Sequence, residues 1–222
     1  MKHVGLWMAL GFLLGATERA GATITIFNTG VDATATPLPG GSWDPHYAVL
    51  DASLNPYQPS AVVLSAANLP FVWTPNTATA QWISITDAIF GNPIGDFNFR
   101  TTFTVPGAIP PGLTLSGLWT GDDGLKGVYL NGNQISGTTF PNGSWTILHP
   151  FSVSDSSGFF QSGLNTLDFK VDFADSRAEG VIVAGLTLTT PVVPEASNLA
   201  VGGLSGALVL GSLLRRRRRA AA

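Results

Sequence analysis

The sequence predicts an all-β domain between residues 23 and 190. Short runs of β-branched and aromatic residues recur there, and clusters of Gly, Pro, Asn and Asp separate them. No segment combines a long 3.6-residue apolar period with helix caps, and only 11% of the chain is charged. Helical surfaces usually carry many more Glu and Lys residues. About nine strands in a domain of this size predict a β-sandwich.

The predicted strands follow one another along the domain. Residues 97–105 and 167–173 alternate apolar and polar side chains, as half-buried strands do. Asn131 and Gly132 predict a tight hairpin turn, because an Asn-Gly pair tolerates the positive φ that such a turn needs. The predicted strands are residues 23–28, 61–66, 80–85, 97–105, 113–119, 127–131, 144–153, 165–173 and 180–189.

The first 22 residues predict a secretory signal peptide. Lys2 and His3 form a basic start, an apolar run covers residues 4–16, and Ala20-Gly21-Ala22 is a small-x-small cleavage site. The apolar run of about 13 residues is shorter than the roughly 20 that span a bilayer, so cleavage is favoured over a membrane anchor. We therefore expect the mature chain to begin near Thr23.

Residues 191–222 form a tail of three parts. Pro194 and Glu195 come first, and the uncharged residues 199–214 follow, which as a transmembrane helix would be about 24 Å long. The tail then carries five consecutive basic residues, Arg215, Arg216, Arg217, Arg218 and Arg219. By the positive-inside rule these arginines stay in the cytoplasm, which places the domain outside the membrane. A plain C-terminal membrane anchor is the less favoured interpretation of this tail.

This tail also resembles the PEP-CTERM sorting signal of Gram-negative bacteria. Ala196 stands where that family has its second proline, but the order of Pro-Glu, apolar helix and terminal arginines is the same. The resemblance implies that an exosortase-type membrane protease cuts near Pro194-Glu195. It also implies that the mature protein reaches the cell surface or the exopolysaccharide matrix of a biofilm.

The domain contains a second set of distinctive stretches. These are WTGDDG (119–124), VYLNG (128–132) and GLNTL (163–167), with further likeness at 43–49 and 81–84. Together they resemble the galactose-binding-like β-sandwich, which implies a jelly-roll arrangement of the strands. Modules of this kind bind sugars, bind other ligands or only hold proteins together, so the resemblance does not select a function.

Charge excludes several classes of partner. Residues 23–190 hold four basic and twelve acidic side chains, a formal balance of −8, which repels nucleic acid and anionic membrane surfaces.

The chain has no Cys, and the domain has only His46 and His149, too few ligands for a zinc site. No nucleophile elbow, Walker loop or dinucleotide fingerprint is present.

The remaining acidic residues could serve as a glycosidase pair or as solvated surface groups. Asp168 and Asp172 share a parity opposite to that of Leu167 and Phe169, which predicts a solvent-facing position. The expected solvated group consists of Asp168, Asp172, Asp175 and Glu179. We therefore expect a non-enzymatic domain, with a glycoside hydrolase as the less favoured alternative.

Two kinds of ligand suit the composition. A secreted acidic domain can bind structural calcium through oxygen atoms, and the candidate ligands are Asp32, Asp44, Asp122 and Asp123. A glycan would need an exposed aromatic ring, and the candidate residues are Trp43, His46 and Tyr47, in a loop rich in Gly and Pro. Packing of Trp43 within its loop is the alternative, while Trp82 and Trp119 are expected in the core.

These observations favour an exported, non-enzymatic protein of the cell surface or extracellular matrix. A carbohydrate-binding module with a specific glycan ligand is the alternative function. Exposed aromatic side chains would distinguish the second from the first.

Overall fold

The computed structural model describes residues 24–190, and these residues form an antiparallel β-sandwich. The two-sheet, all-β architecture predicted from the strand pattern is confirmed. The signal peptide, the Pro194-Glu195 site, the apolar residues 199–214 and the terminal arginines lie outside the described residues, so their roles stay predictions. Within residues 24–190, no helix is long and apolar enough to cross a membrane.

Eleven strands make up the sandwich within the described range. In chain order they are β1 (Ala48–Leu50), β2 (Pro56–Gln58), β3 (Val62–Val63), β4 (Ile83–Ser84), β5 (Gly95–Val105), β6 (Thr114–Asp122), β7 (Gly124–Leu130), β8 (Asn133–Gln134), β9 (His149–Ser154), β10 (Gly163–Phe173) and β11 (Gly180–Thr189). Two single-turn 3₁₀ helices, Ser144–Thr146 and Asp155–Ser157, flank β9.

The strands divide between two sheets. One has the order β2-β1-β5-β10-β7-β8 and the other has the order β3-β4-β11-β6-β9. The chain changes sheet at each step from β5 to β6 to β7, and again from β9 to β10 to β11. As a result, the turn between β6 and β7 and the loop between β10 and β11 both connect the two sheets at one end of the sandwich.

Aromatic side chains join the two sheets in the core. Phe169, in the middle of β10, is fully buried and contacts Tyr47, Trp119 and Phe151, with ring centroids 6.3, 5.6 and 5.7 Å away. Trp119 and Phe151 belong to the opposite sheet, so this cluster holds the sheets together. Burial of rings of this size is a major source of sandwich stability.

A second, smaller core covers the outer side of the five-stranded sheet. Trp82 is fully buried there, and its ring lies 4.2 Å from that of Trp73 at an interplanar angle of 35°, with Leu64 and Ile182 packed beside them. The prediction that Trp82 and Trp119 are core residues is therefore confirmed. This packing fixes the loop that carries Trp73 against the end of β6.

The first predicted strand is wrong. Residues 24–28 form no strand, and side chains share the bonding beside β11 with the backbone. The Thr29 hydroxyl accepts a bond from the Val183 amide at 3.0 Å and Asn28 Oδ1 accepts one from the Leu186 amide at 2.9 Å, while the Thr29 amide donates to the Val183 carbonyl at 3.1 Å. The other predicted strands correspond to observed ones, although 61–66 and 80–85 shorten to two residues each. The predicted strand 144–153 begins only at His149, because residues 144–146 form a 3₁₀ helix. The short strands β1, β2 and β8 were not predicted.

The hairpin between β7 and β8 is confirmed at Asn131 and Gly132. Their φ angles are 51° and 79°, the pair of positive values that a type I′ turn requires. Asn131 also anchors the turn, since its side-chain oxygen accepts a bond from the Thr166 amide at 2.9 Å. No atom lies within 4 Å of the position of a Cβ on Gly132, so only its backbone angle restricts this residue.

We predict that Gly132→Val lowers the free energy of unfolding by at least about 1 kcal/mol, because a β-branched residue resists positive φ. Gly132→Asn is the control, since asparagine tolerates this conformation. Urea denaturation of both variants measures the difference. Equal stability of the valine and asparagine variants would contradict the turn.

Candidate metal centre

Four carboxyl groups meet at the end of the sandwich where the sheets connect. Asp122 ends β6 and Asp123 follows it in the turn to β7, whereas Asp175 and Glu179 lie in the loop between β10 and β11. Gly180 pairs with Asp122, and Asp172 pairs with Gly124, so strand register brings the turn and the loop side by side. We call these four residues the acidic cluster.

Three members of the acidic cluster are close enough to share one ion. Asp123, Asp175 and Glu179 each offer one carboxylate oxygen, and these oxygens all lie within 4.8 Å of one another. Oxygen donors of this kind suit hard cations such as calcium. With metal–oxygen distances of about 2.3–2.6 Å, opposite calcium ligands are roughly 4.6–5.2 Å apart, so the three oxygens fit around a single ion.

Several hydrogen bonds hold the exposed side of the cluster in place. Asp123 accepts bonds from the Ala174 amide at 2.9 Å and from the side chain of Asn142 at 3.2 Å. Asp175 accepts a bond from the Arg177 amide at 2.8 Å, and the Arg177 guanidinium lies 3.7 Å from its other oxygen. Because Arg177 is exposed, this ion pair neutralises little of the charge.

The inner side of the cluster has polar atoms without partners. Glu179 is 1% exposed, and its Oε2 makes no hydrogen bond. Its Oε1 accepts only a long bond from the Asp175 amide, at 3.4 Å. Asp122 Oδ2 accepts a bond from the Trp73 indole at 3.1 Å, but its Oδ1 is buried without a partner. Unpaired buried carboxylate oxygens are costly, which indicates that the cluster is incomplete without a cation or protons.

Burial and mutual repulsion change the titration of two of these groups. Burial, reinforced by the charges of Asp123 and Asp122, raises the pKa of Glu179 to about 10. Burial, reinforced by Asp123, raises the pKa of Asp122 to about 8. Without a cation, both groups therefore hold protons at neutral pH, and a bound divalent ion would displace those protons.

Two of the four predicted calcium ligands lie elsewhere. Asp44 is fully buried, and its two oxygens accept bonds from the backbone amides of Gly30 at 2.6 Å and His46 at 2.8 Å. Asp32 caps its own turn, where hydrogen bonds from Thr34 and Thr36 lower its pKa. The carboxylate oxygens of Asp32 and Asp44 thus already accept hydrogen bonds from nearby backbone amides. Of the four predicted calcium ligands, only Asp122 and Asp123 lie in the acidic cluster.

The predicted glycan-binding residues do not share one surface. Trp43 is 60% exposed, but Tyr47 is buried in the core, where its hydroxyl donates to the Phe27 carbonyl at 2.9 Å. The His46 ring stacks on Phe27 with centroids 3.7 Å apart, and its Nε2 is buried. Of the three, only Trp43 has a ring face available to a ligand.

The expectation of a solvated acidic group is wrong for two of its members. Asp168 does point away from the core, but it is 2% exposed because Arg100 covers it with two hydrogen bonds of 2.6 and 2.8 Å. Glu179 is buried in the acidic cluster. Asp172 and Asp175 keep accessible side chains, as predicted.

Comparisons with known proteins give little direct guidance. No family model matches the chain, and no curated protein matches it. Among solved structures, the chain is similar to a family 35 carbohydrate binding module from an environmental isolate, with 16% identity and a TM-score of 0.32 over 66% of this chain and 98% of that one. It is also similar to CBM35 from Paenibacillus barcinonensis, with 15% identity and a TM-score of 0.32 over 59% and 89%. The strand order of this chain, rather than these similarities, defines its fold.

We predict that, in the presence of a chelator, the free energy of unfolding falls as the pH rises from about 5 to 9. The folded chain keeps protons on Asp122 and Glu179 that the unfolded chain has already released, so each group costs up to about 1.4 kcal/mol per pH unit. Denaturant unfolding at several pH values measures this slope.

Glu179→Gln removes one of these groups and should flatten the slope and raise stability at pH 9. Asp32→Asn is the control, because it removes the same charge from an exposed turn and should leave the slope between pH 6 and 9 unchanged. An identical slope in the wild type and Glu179→Gln would contradict the burial of an ionisable Glu179.

Proposed function

We propose that this chain is an exported, non-enzymatic protein of the cell surface or extracellular matrix, whose β-sandwich binds a calcium ion at the acidic cluster. Before processing, its C-terminal helix holds it in the membrane. An exosortase-type protease then cuts near Pro194-Glu195, and the domain is released toward the exopolysaccharide outside the cell. The bound ion joins the turn between β6 and β7 to the loop between β10 and β11 at that end of the sandwich.

One observation carries the cation-binding part of this proposal. Glu179 Oε2 is a buried, unpartnered carboxylate oxygen in a group of four acids, and the exposed Arg177 is the only basic side chain that pairs with one of them among residues 24–190. A divalent cation would supply the missing charge and the missing partner together. Calcium is preferred because every donor is an oxygen and none is nitrogen or sulfur.

A hydrolase is the alternative that converging carboxylates raise. Glycosidases place one carboxyl group on each side of the bond that they cut, about 5–5.5 or 6.5–9.5 Å apart, and both must reach the substrate. Glu179 is 1% exposed, so a substrate oxygen cannot approach it. A pKa of about 10 also lies far above the range in which a general acid works best near neutral pH. These properties favour an ion site.

Carbohydrate binding is the second candidate function, and Trp43 is the observation that favours it. Its ring is 60% exposed, while its backbone pairs with Val62 in an isolated β-bridge that fixes the position of the loop. An exposed, positioned indole can stack on the apolar face of a sugar. Loss of glycan binding in Trp43→Ala, with an unchanged melting temperature, would support this function.

We predict that 10 mM calcium raises the melting temperature of the wild-type domain by about 5 °C. This magnitude follows from the sub-millimolar affinity typical of extracellular calcium sites, since binding to the folded state alone adds roughly 1–3 kcal/mol. Glu179→Gln and Asp175→Asn should each remove the shift, because each deletes one ligand. Differential scanning calorimetry with and without a chelator measures it.

Asp32→Asn is the matched control for charge and should keep the full calcium shift. Magnesium should give a smaller shift than calcium, because it requires shorter bonds and an octahedral shell. An unchanged wild-type melting temperature in calcium, or an equal shift in Glu179→Gln, would contradict a calcium site in the acidic cluster.

The sorting proposal makes a separate prediction. Glu195→Ala in the native host should leave a larger form of the protein in the membrane, since the helix and the arginines still hold the chain there but the protease site is damaged. Immunoblots of membrane and culture fractions measure this. Equal release of mutant and wild type would favour a tail that acts without Pro194-Glu195.

A further inference from the structure

A pocket of about 200 Å³ opens on the outer face of the six-stranded sheet, away from both the acidic cluster and Trp43. Its floor belongs to β5 and β10. The turn between β1 and β2 forms one wall, and the end of β7 with its hairpin turn forms the other. The lining residues are Ala52, Leu54, Asn98, Tyr129, Gly132, Asp168 and Lys170.

The floor of the pocket is polar but locally neutral. Asp168 forms its two-bond ion pair with Arg100, and the Lys170 ammonium lies 3.0 Å from Asp96. The Asn98 amide nitrogen donates to the carbonyl of Asp51 at 2.9 Å, so its oxygen is the acceptor that remains. Because each charge already has a partner, the floor favours a neutral polar ligand over an ion.

Leu54 forms one wall in an unusual conformation. Its φ is 63°, in the left-handed region that glycine and asparagine favour and that a leucine rarely adopts, and its side chain is 46% exposed. Asp51 imposes the turn, since its carbonyl accepts from the Leu54 amide at 3.0 Å and its Oδ1 accepts from the amides of Ser53 and Asn55. A strained, exposed apolar residue at the edge of a pocket points to a role for its side chain.

Tyr129 forms the opposite wall. It pairs with Asp168 across the strands and is partly exposed, so an aromatic ring faces the pocket opening from the β7 side. Leu54 and Tyr129 thus offer two apolar walls above a floor of hydrogen-bonding groups. This combination matches a sugar ring, which has apolar C–H faces and a rim of hydroxyls that both donate and accept.

We propose that this pocket binds one neutral hexose ring, such as the terminal residue of a glycan chain. The ring lies between Leu54 and Tyr129, and its hydroxyls bond to the Lys170 ammonium, which is the most accessible polar group of the floor. The small volume and the two walls restrict the site to a single ring. This pocket is separate from the calcium site and from Trp43. An experiment can therefore contradict any one of these three binding sites without contradicting the others.

Leu54→Gly is the test that separates binding from folding. Glycine adopts φ near 63° without strain, so this variant should melt at the same temperature as the wild type or higher, while it loses one wall of the pocket. The probes are the methyl glycosides of glucose, galactose and mannose, titrated into isotope-labelled protein and followed by NMR. At least one should give saturable shifts at Leu54 and Tyr129, and Leu54→Gly should weaken its affinity by about tenfold or more.

Ala35→Gly is the matched control. Ala35 also has a positive φ, of 61°, in a turn capped by Asp32, so it receives the same backbone change away from the pocket and should keep full affinity. The absence of saturable shifts with all three glycosides would overturn the proposal. Binding that survives Leu54→Gly, or that is lost only in Trp43→Ala, would overturn it too, and the last result would place the glycan at Trp43.

Discussion

Four carboxyl groups share the end of this sandwich where the two sheets connect, and they cannot all be ionised there without a counter-charge. Glu179 is buried, Asp122 is partly buried, and the one basic side chain that pairs with a member of the cluster is exposed. The chain can meet this constraint with protons, which Asp122 and Glu179 retain because burial raises their pKa, or with a cation. Whether protons or a cation balance the charge therefore couples the turn between β6 and β7 and the loop between β10 and β11 to the pH and the ions of the medium.

Unlike the acidic cluster, the charged side chains on the outer face of the six-stranded sheet form ion pairs with one another. On the outer face of the six-stranded sheet, Arg100 pairs with Asp168, and Lys170 and Lys126 share Asp96. Three of the four basic residues between positions 23 and 190 are therefore used on one sheet face, where the register places Arg100 directly opposite Asp168 and Lys170 diagonal to Asp96. That face is locally neutral, whereas the acidic cluster keeps its excess negative charge.

The sequence pattern was sufficient for the parts of the fold that depend on local chemistry. Alternation predicted the long strands, the Asn131-Gly132 pair predicted the hairpin, and apolar context placed Trp82 and Trp119 in the core. The pattern identified only half of the acidic cluster. Asp122 and Asp123 are adjacent in sequence, but Asp175 and Glu179 join them through the pairing of β10 with β7 and of β11 with β6, which are long-range events. Similarly, the sequence makes Asp32 and Asp44 candidate calcium ligands. Only the structure shows that their carboxylate oxygens already accept hydrogen bonds from backbone amides.

Diffraction from crystals soaked in calcium, measured at a wavelength where calcium scatters anomalously, would locate the ion. We expect an anomalous peak bonded to oxygens of Asp123, Asp175 and Glu179 at about 2.3–2.6 Å. Crystals of Glu179→Gln treated in the same way should lack the peak. A peak that appears only elsewhere on the protein, or a Glu179 carboxyl that stays unliganded at saturating calcium and pH 9, would contradict a calcium site in the acidic cluster.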